Sequence, residues 1–384
     1  MYETVRYNFR LRPGAQAKAA LTTEWNRCRF LWNEAVHQQK AGKRPTFCRL
    51  SKLLTAARSK FTWLRDGSQV AQQQTLRDYS RALQDSFEVK GRARPTFKKR
   101  KTSLPSLEYT QRGFSIREGR LRLPNRVSVP VVWSRELPSA PTSVRVYQDS
   151  LGHWYASFVV RRESDALDEV AGRIGIDWGV TTTAIATDPA YDLPYAGHRK
   201  RCAAELAKAQ RKMSRRKKPR GRTPTKGYQN AKLQVARLRK KAARQNTHTG
   251  RTWAKAVVDN HQVIAVEDLR GKFLTKSRMA RKAADAAIGS AKRTLIEYGT
   301  RAGRAVVLVP PAYTTMTCSK CGERQARLGL AERIFRCTHC GHTADRDRNA
   351  AWTILAKAES SLDGVDDVRH RLSHPFEVAV AGAV

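Results

Sequence analysis

Four cysteines in the last quarter of the chain have the spacing of a metal site. They occur as two C-x2-C pairs, Cys318 with Cys321 and Cys337 with Cys340, separated by residues 322–336. This spacing is typical of a zinc ribbon. Four thiolates close a tetrahedral shell around Zn²⁺ at Zn–S distances of about 2.3 Å, which leaves no position for a substrate. We therefore expect a structural zinc ion, with catalysis by residues close to it.

Three acidic residues are candidates for a second metal site. Asp177 interrupts the apolar run RIGIDWG, Glu267 ends the run VIAVE, and Asp347 lies in DRDRNAAW. An α/β sheet with a packed helix could bring these carboxylates together, although like charges raise each other's pKa. Divalent cations remove that cost, and carboxylate oxygens suit Mg²⁺. Two such ions about 3.5–4 Å apart could support phosphodiester hydrolysis.

Each acidic residue also has a simpler interpretation. Asp345 or Asp347 could cap a helix, which is worth roughly 0.5–2 kcal/mol. Glu267 and Asp268 could be ordinary charges at the end of a strand. Asp177 is the hardest to explain in this way, because it stands inside an apolar run. Spacing alone leaves the catalytic set undecided.

The net charge indicates a polyanionic partner. The chain has 74 Lys and Arg against 33 Asp and Glu, a formal charge of +41 and a pI near 10.7. Self-repulsion on this scale disfavours a compact chain unless a polyanion neutralises it, and binding to nucleic acid also releases counterions. A ribosomal-type protein would share this composition. However, 384 residues with 40% hydrophobic content can build two or three domains with their own cores.

The remaining features predict a cytoplasmic protein. Cys28, Cys48 and Cys202 are scattered, so we expect them to be reduced thiols. The start MYETVRYNFR lacks the apolar region of a signal peptide, and the chain has no apolar run of about 18 residues. We expect it in a prokaryotic cytoplasm, associated with the nucleoid when bound to DNA, and with no membrane partner.

The first part of the chain predicts a β-barrel with a helical insertion. Residues 1–12 alternate between apolar and polar as a first strand would. Residues 13 to about 88 have helical periodicity, and the basic linker KGRARPTFKKRKTS follows, so we place the helical insertion at 13–100. Residues 101–168 contain short strand-like runs separated by turns, which are typical of a small barrel or sandwich.

The second part predicts an α/β domain. Strands and helices alternate over 169–312, followed by the cysteine segment at 313–343 and a final helix at 344–358. Residues 359–384 have no strong pattern, and we expect a disordered tail there.

Four motifs in this order resemble those of a known family. GIDWG, VIAVEDL, TCSKCG…FRCTHCG and DRDRNAA are similar to the three RuvC segments and the embedded zinc ribbon of the TnpB family. These are transposon-encoded RNA-guided DNA endonucleases related to type V CRISPR effectors. The resemblance implies that Asp177, Glu267 and Asp347 bind catalytic Mg²⁺. It favours Asp347 over Asp345, because Asp347 stands two residues before Asn349.

The resemblance also implies the fold class, a multidomain protein with α/β and β-barrel parts. An OB-like wedge barrel with a helical recognition insertion would precede an RNase H-like RuvC domain with an inserted zinc ribbon. FLWNEAV, QQQTLRDYSRALQDSF and RPTFKKRK resemble the N-terminal parts more loosely. Trp178 departs from the family, which commonly has a smaller apolar residue there, but no metal ligand is lost.

Two regions are candidates for nucleic-acid contacts. The basic segments 211–222 and 232–244 predict a surface that follows phosphates, although a solvated face is the alternative. By resemblance, the first region borders a guide–target heteroduplex. The helical insertion would read a short duplex motif, for example through Gln–adenine contacts, although Tyr79 taken alone is typical of a core. The candidate residues are Gln74, Tyr79, Lys98, Lys99, Arg211, Arg215, Arg216, Lys217, Lys218, Arg239 and Lys240.

Taken together, the resemblance implies an RNA-guided endonuclease that cleaves double-stranded DNA beside a short adjacent motif. It would need structural Zn²⁺ and two Mg²⁺, for which Mn²⁺ could substitute, and one protein would bind each guide RNA. The alternatives are a miniature type V CRISPR effector, a guide-dependent repressor without cleavage, and a strand-joining transposase. The complete acidic set argues against the repressor, and the transposase would need transposon ends and no guide.

Overall fold

The computed structural model describes residues 2–43, 45–89, 91–100, 102–163, 167–219, 221–269, 279–326, 328–329 and 332–363. Two compact units divide the chain, unit 1 at Met1–Glu163 and unit 2 at Ser164–Val384. The mixed α/β content expected from the sequence is confirmed. Over the described ranges, no helix has both the length and the apolar character needed to span a membrane.

Seven strands of unit 1 form one antiparallel sheet in the order β2-β6-β7-β1-β5-β4-β3. They are β1 (Tyr2–Leu11), β2 (Ser106–Thr110), β3 (Ser115–Arg117), β4 (Arg120–Leu123), β5 (Val127–Val132), β6 (Ser143–Gln148) and β7 (Trp154–Glu163). The long strand β1 lies between β7 and β5, so the chain before the helices pairs with the chain after them. The predicted barrel is confirmed in the coarser form of a half-barrel, in which the short strands β2 and β3 are the edges of the sheet.

Four helices lie between β1 and β2, where the sequence predicts a helical insertion. They are α1 (Ala15–Lys40), α2 (Phe47–Lys60), α3 (Thr62–Arg65) and α4 (Gln69–Glu88). Their shared core includes Leu31, Leu50, Leu64 and Leu76. The Ser68 side chain accepts a hydrogen bond at the start of α4, which satisfies one of the free N–H groups there.

A five-stranded sheet forms the centre of unit 2, in the order β10-β9-β8-β11-β12. Its strands are β8 (Arg173–Trp178), β9 (Thr182–Ala186), β10 (Leu193–Pro194), β11 (Val263–Glu267) and β12 (Ala305–Val309). The first three strands are antiparallel, whereas β8, β11 and β12 are parallel. The helices are α5 (His198–Arg201), α6 (Ala203–Arg215), α7 (Lys226–Asn260), α8 (Ala280–Ala286), α9 (Ile288–Arg301) and α10 (Arg346–Asp363).

The two faces of this sheet carry different cores. Ile174, Ile176 and Val266 pack with residues of α7 and α9. On the other face, Ala265 packs with Ile354 and neighbours on α10. A Cβ atom at Gly175 would lie 2.1 Å from the Ala351 carbonyl oxygen, so only glycine lets α10 lie this close to β8. Because side chains alternate along a strand, Asp177 and Glu267 share the α10 face with Gly175 and Ala265.

The cysteine segment contains a small hairpin that leads directly into α10. Its strands are β13 (Ile334–Arg336) and β14 (Thr343–Asp345), which are antiparallel. The prediction of a tail from 359 is wrong for 359–363, which complete α10; there an ion pair joins Glu359 to Arg173 of β8 at 3.1 Å. The rest of the predicted tail, 364–384, lies outside the described residues.

Candidate active site and metal centre

Asp177 and Glu267 lie side by side at the carboxyl ends of two parallel strands. The register pairs Ala265 with Gly175 and Val266 with Ile176, so the next step along each strand brings Glu267 beside Asp177. Neighbouring strands are about 4.8 Å apart. The two side chains are nevertheless buried, with 6% and 7% of their residues' surfaces exposed. The sheet therefore brings two buried carboxyls from distant segments together, as the sequence predicts.

Burial and like charge make Asp177 hard to ionise without a cation. Burial raises the pKa of Asp177 well above its usual range, and the charges of Glu267 and Asp347 raise it further. The backbone N–H of Trp178 and the charge of Arg346 oppose this effect in part. Because Asp347 acts on the pKa of Asp177, all three predicted acids belong to one electrostatic cluster.

Glu267 is held by contacts on both sides of its strand end. The Trp178 indole Nε1 donates a hydrogen bond to the Glu267 backbone oxygen at 3.1 Å. Burial raises the pKa of Glu267 to about 7, Lys292 lowers it, and Asp268 raises it. Lys292 is itself almost buried and forms an ion pair with Asp268. A carboxyl with a pKa near neutrality binds either a proton or a metal ion readily.

Asp347 lies in the first turn of α10, and its neighbour Asp345 caps that helix. Asp345 Oδ1 accepts hydrogen bonds from the backbone N–H groups of Asp347 at 3.0 Å and Arg348 at 2.9 Å. Capping therefore occupies Asp345 and leaves the Asp347 carboxylate for the cluster. That carboxylate contacts Arg346 Nε at 3.1 Å and Arg333 Nη1 at 3.6 Å.

The cysteines form a tighter group than the acids. In the part of the chain that the structure describes, Cys318, Cys321, Cys337 and Cys340 are the one set of three or more His, Cys, Asp or Glu ligand atoms within 4.8 Å of each other. The Sγ atoms of Cys318 and Cys340 are 3.7 Å apart, and those of Cys321 and Cys337 are 3.6 Å apart. A tetrahedral ion with bonds of about 2.3 Å would place ligand sulfurs about 3.8 Å apart. The four thiols fit such an ion.

Two equivalent turns present these thiols. Gly322 N–H donates to the Cys318 oxygen at 3.0 Å, and Gly341 N–H donates to the Cys337 oxygen at 3.1 Å. Both glycines have positive φ, 77° and 73°, a conformation that glycine adopts without steric cost. The repeated C-x2-C-G sequence thus produces a repeated turn, each holding two sulfurs on one side.

Most basic candidates in unit 2 are exposed. Helices α6 and α7 pack through Ala209, Val235 and Leu238, which turns the charged residues outward. The exposed candidates are Arg211, Arg215, Arg216, Lys217, Lys218 and Arg239, and Lys240 is half-buried. Arg216 also donates to the Gly227 oxygen at 3.1 Å, which ties α7 to the end of α6.

The candidates in unit 1 differ in accessibility. Tyr79 is fully buried, and its hydroxyl donates to the Ala35 oxygen at 3.1 Å. The prediction that Tyr79 contacts nucleic acid is therefore corrected: its ring belongs to the helical core. The Lys98 ammonium lies 3.5 Å from the centre of the Trp32 ring, and burial lowers its pKa to about 8. Gln74 is half-buried and Lys99 is exposed.

Sequence patterns did not reveal three residues around the acids. Lys292 has no motif of its own and is one of three basic residues on α9. In the sequence, Trp178 is distinguished only by its departure from the family pattern. Asn349 is distinguished only by its spacing from Asp347, which favours Asp347 over Asp345. The signal for Asn349 was available, since a polar residue two positions after an acid at a helix start needs a partner once the helix is buried.

Two family models and several relatives match this chain. Residues 157–278 match the model described as "Probable transposase", and residues 290–354 match "Cas12f1-like, TNB domain". A "Putative RNA-guided DNA endonuclease" from Streptomyces pristinaespiralis is 28% identical, over 94% of this chain and 91% of its own length. The "Putative RNA-guided DNA endonuclease InsQ" from Escherichia coli K12 is 29% identical, over 93% of this chain and 92% of its own.

A shorter match and one solved structure agree with these. "TnpB-like protein L79" of Acanthamoeba polyphaga mimivirus is 40% identical over 22% of this chain and 16% of its own length. The chain in "Cryo-EM structure of the Cas12f1-sgRNA-target DNA complex" aligns with a TM-score of 0.50 at 13% identity, over 92% of this chain and 98% of its own, which bears on the fold alone. These matches confirm the resemblance to the TnpB family that the four motifs predict.

Proposed function

We propose that this chain is an RNA-guided DNA endonuclease that hydrolyses phosphodiester bonds in double-stranded DNA. One observation carries the proposal: Asp177 and Glu267 are buried side by side, and Asp347 adds a third charge to the same cluster. A purely structural role would leave the like charges of Asp177 and Glu267 side by side in a buried place, which is costly. Relatives named as RNA-guided DNA endonucleases align over nine-tenths of the chain.

The nuclease domain would be an RNase H-like RuvC domain formed by unit 2. The order β10-β9-β8-β11-β12, with three antiparallel strands followed by two parallel to β8, supports this assignment. The carboxyl ends of β8 and β11 provide two acids, and α10 provides the third. The predicted segment boundaries, 169–312 and 344–358 for the nuclease and 313–343 for the ribbon, remain part of the proposal, as do 1–12 and 101–168 for the wedge and 13–100 for the recognition insertion.

The three acids would hold divalent cations, with Mg²⁺ the ion that oxygen ligands favour. Two bound ions would activate a water molecule and stabilise the leaving oxygen of the scissile phosphate. Asp177 and Glu267, on rigid parallel strands, would fix the site, while Asp347 would complete it from α10. Trp178 would keep Glu267 in register through the bond to its backbone oxygen. Lys292, paired with Asp268, would balance charge behind Glu267.

The cysteine cluster would hold Zn²⁺ in a closed structural site. Four thiols with Sγ distances of 3.6 and 3.7 Å leave no ligand position for a substrate. The cysteine cluster would hold the hairpin β13–β14 in place. This hairpin leads directly into the helix that bears Asp347.

A guide RNA and the target DNA would bind to the basic surfaces. The exposed cations of α6 and α7 suit contacts to phosphates, which carry no sequence information. Base pairing with the guide would then select the target. Lys99 and Gln74 in unit 1 remain candidate contacts, whereas Lys98 would act through packing against Trp32.

The test uses the full chain purified together with the RNA of its expressing cells. Sequencing should find one discrete RNA species, and this complex with Mg²⁺ should cleave DNA complementary to the variable end of that RNA. Asp177→Asn should abolish cleavage but keep RNA and DNA binding. Asp259→Asn, a change at a surface acid paired with Lys255, serves as the matched control and should cleave normally.

Two outcomes would contradict the proposal in different ways. Absence of any discrete copurifying RNA would remove the guide, and leave the strand-joining transposase as the better explanation. Cleavage by Asp177→Asn at the parental rate would remove the acids from catalysis.

A further inference from the structure

Asn349 is a fully buried polar residue whose side chain joins α10 to the first cysteine turn. It lies in the first turn of α10, two residues after Asp347, and has 0% of its surface exposed. Its Oδ1 accepts a hydrogen bond from Ser319 N–H at 2.9 Å, and its Nδ2 donates to the Thr317 oxygen at 2.7 Å. These two backbone groups flank Cys318, so the Asn349 side chain binds the backbone on both sides of a predicted zinc ligand.

Asn349 cannot reach the substrate side of Asp347 directly. Residues two apart on a helix point about 200° apart around its axis, because each residue turns the helix by about 100°. Asn349 therefore faces the cysteines while Asp347 faces the sheet ends. Any effect of Asn349 on Asp347 must pass through the backbone of the first turn of α10.

A second contact holds the same turn from the opposite direction. Both Nη atoms of Arg348 bond to the Asp192 carboxylate at 2.8 Å, and the Arg348 guanidinium also donates to the Ala186 oxygen at the end of β9. Arg348 thus ties the helix start to the sheet, and Asn349 ties it to the cysteine cluster. The position of Asp347 depends on both attachments.

The hairpin adds a third link between the cysteines and this turn. The backbone N–H of Arg346 donates to the Arg333 oxygen at 2.8 Å, one residue before β13 begins. Cys337 directly follows β13, and β14 ends at Asp345, immediately before α10. A change in the spacing of the four thiols would therefore reach α10 through the hairpin and through the Asn349 amide.

We propose that Asn349 is a positioning residue that couples the metal-bound geometry of the cysteine cluster to the placement of Asp347. Loss of its amide would weaken the attachment of the first cysteine turn to α10, where Thr353 still bonds to the Thr317 oxygen, and would let Asp347 move away from Asp177 and Glu267. Weaker cation binding at the acids and faster loss of zinc would follow from the same substitution. This inference rests on the proposed nuclease function for its cation site, but its test does not depend on cleavage.

The experiment measures both metal sites in Asn349→Ala. Zinc release to a chromogenic chelator reports on the cysteines, and titration calorimetry with Mn²⁺ reports on the acids, both on the full chain with its copurified RNA. We expect zinc release to accelerate about tenfold and the Mn²⁺ dissociation constant to rise about tenfold, the effect of about 1.4 kcal/mol. Asn260→Ala is the matched control, since that exposed amide donates to the Ala256 oxygen in its own helix.

Removal of zinc from the parent gives a second measurement of the coupling, which does not require Asn349→Ala to fold. In the parent, removal of zinc should weaken Mn²⁺ binding by a factor similar to that of the substitution, and in Asn349→Ala zinc removal should add little. Thr353→Val removes a bond to the same Thr317 oxygen one turn farther along, and should have a smaller effect on both metals.

Independent responses would overturn the coupling. One contrary result is that zinc removal weakens Mn²⁺ binding equally in the parent and in Asn349→Ala, and another is that the substitution changes zinc release alone. Either result would show that Asn349 stabilises only the cysteine turn. A parent that cleaves nothing but shows Asp347-dependent Mn²⁺ binding would count against the proposed function while leaving the coupling measurable. A parent without any Asp347-dependent Mn²⁺ binding would overturn both.

Discussion

The cysteine cluster and the carboxylate cluster are neighbours in unit 2, yet they are prepared for metal ions in opposite ways. The thiols already stand at ligand spacing, with Sγ pairs 3.6 and 3.7 Å apart. The three acids interact electrostatically, but in the described chain they do not form a set of three ligand oxygens all within 4.8 Å of one another, and Asp347 contacts two arginines. Local turns with glycine build the first site, whereas two strands and a helix from distant parts of the chain build the second.

Under the proposed function, this difference separates a site that would stabilise structure from one that would perform chemistry. A closed set of ligands maximises binding and excludes substrate. A buried cluster of like charges is unstable by itself, and this instability favours cations with open coordination positions. The two clusters can therefore be distinguished by substitutions that affect folding in one case and reactivity in the other.

The largest expected effect follows loss of a thiol. Cys337→Ser should abolish stable zinc binding and unfold the hairpin segment, because structural zinc contributes about 10–16 kcal/mol in small zinc-binding peptides. Zinc content and hydrogen exchange across 313–343 measure this directly. Cys48→Ser, at an exposed free cysteine, is the control and should retain zinc. Parental zinc content in Cys337→Ser would end the assignment of this cluster as a closed four-thiolate site.

Asp177→Asn should change the free energy of unfolding less than Cys337→Ser does, but it should abolish cleavage. Loss of one metal ligand removes several kcal/mol of transition-state stabilisation, which is on the order of 10³-fold in rate. The metal-free variant should melt at a higher temperature than the parent, since burial and the charges of Glu267 and Asp347 oppose ionisation of Asp177. Single-turnover cleavage tests the expected loss of rate, and thermal melting tests the expected gain in stability. A variant that lost both activity and stability would show that Asp177 supports the fold.

The acids should also make the stability of the protein depend on pH. Burial raises the pKa of Glu267 from 4.5 to about 7, so the folded state binds more protons than the unfolded state in this window. Stability of the metal-free protein should therefore fall as pH rises from 4.5 to 7, by an amount on the order of 3 kcal/mol for this group. Melting of Glu267→Gln should lack this component, and saturating Mg²⁺ should reduce it in the parent. Equal slopes in both proteins without metal would contradict the prediction.

The smallest effect is expected from Trp178→Phe. The substitution keeps a ring in the core but removes the hydrogen bond to the Glu267 oxygen, worth about 1 kcal/mol. The Mg²⁺ concentration for half-maximal cleavage should rise up to about fivefold. Trp352→Phe, at an exposed indole on α10, is the matched control. Reduced melting temperature with unchanged Mg²⁺ dependence would make Trp178 a core residue only.

The sequence predicted the acids and the cysteines because both depend on residue type and order. Asp177 and Glu267 each stand in or at the end of an apolar strand, and parallel pairing then follows from the alternation of strands and helices. The thiol spacing specifies its own turns. For these elements, local pattern and tertiary structure agree, which is the usual condition for a successful prediction.

The remaining features depend on contacts that no local pattern encodes. Ala287 separates α8 from α9 with a φ of 54°, although alanine is the best helix former. Tyr79 taken alone is typical of a core, but its sequence context does not specify that its hydroxyl bonds to the Ala35 oxygen on α1. In unit 1, the short strands β2 and β3 are the edges of the half-barrel. Hydrophobic alternation does not specify which strands pair and which become edges.

The sequence positions of the three acids also set an order of events during protein synthesis. Asp177, Glu267 and Asp347 follow one another at intervals of 90 and 80 residues. At roughly 5–20 residues per second, the ribosome would deliver the last acid roughly ten to thirty seconds after the first. Unit 1 and the basic helices α6 and α7 are complete before α10 exists. A nascent chain can therefore acquire its polyanionic partner before it possesses a complete set of acids, and a product that terminates early would bind without cutting.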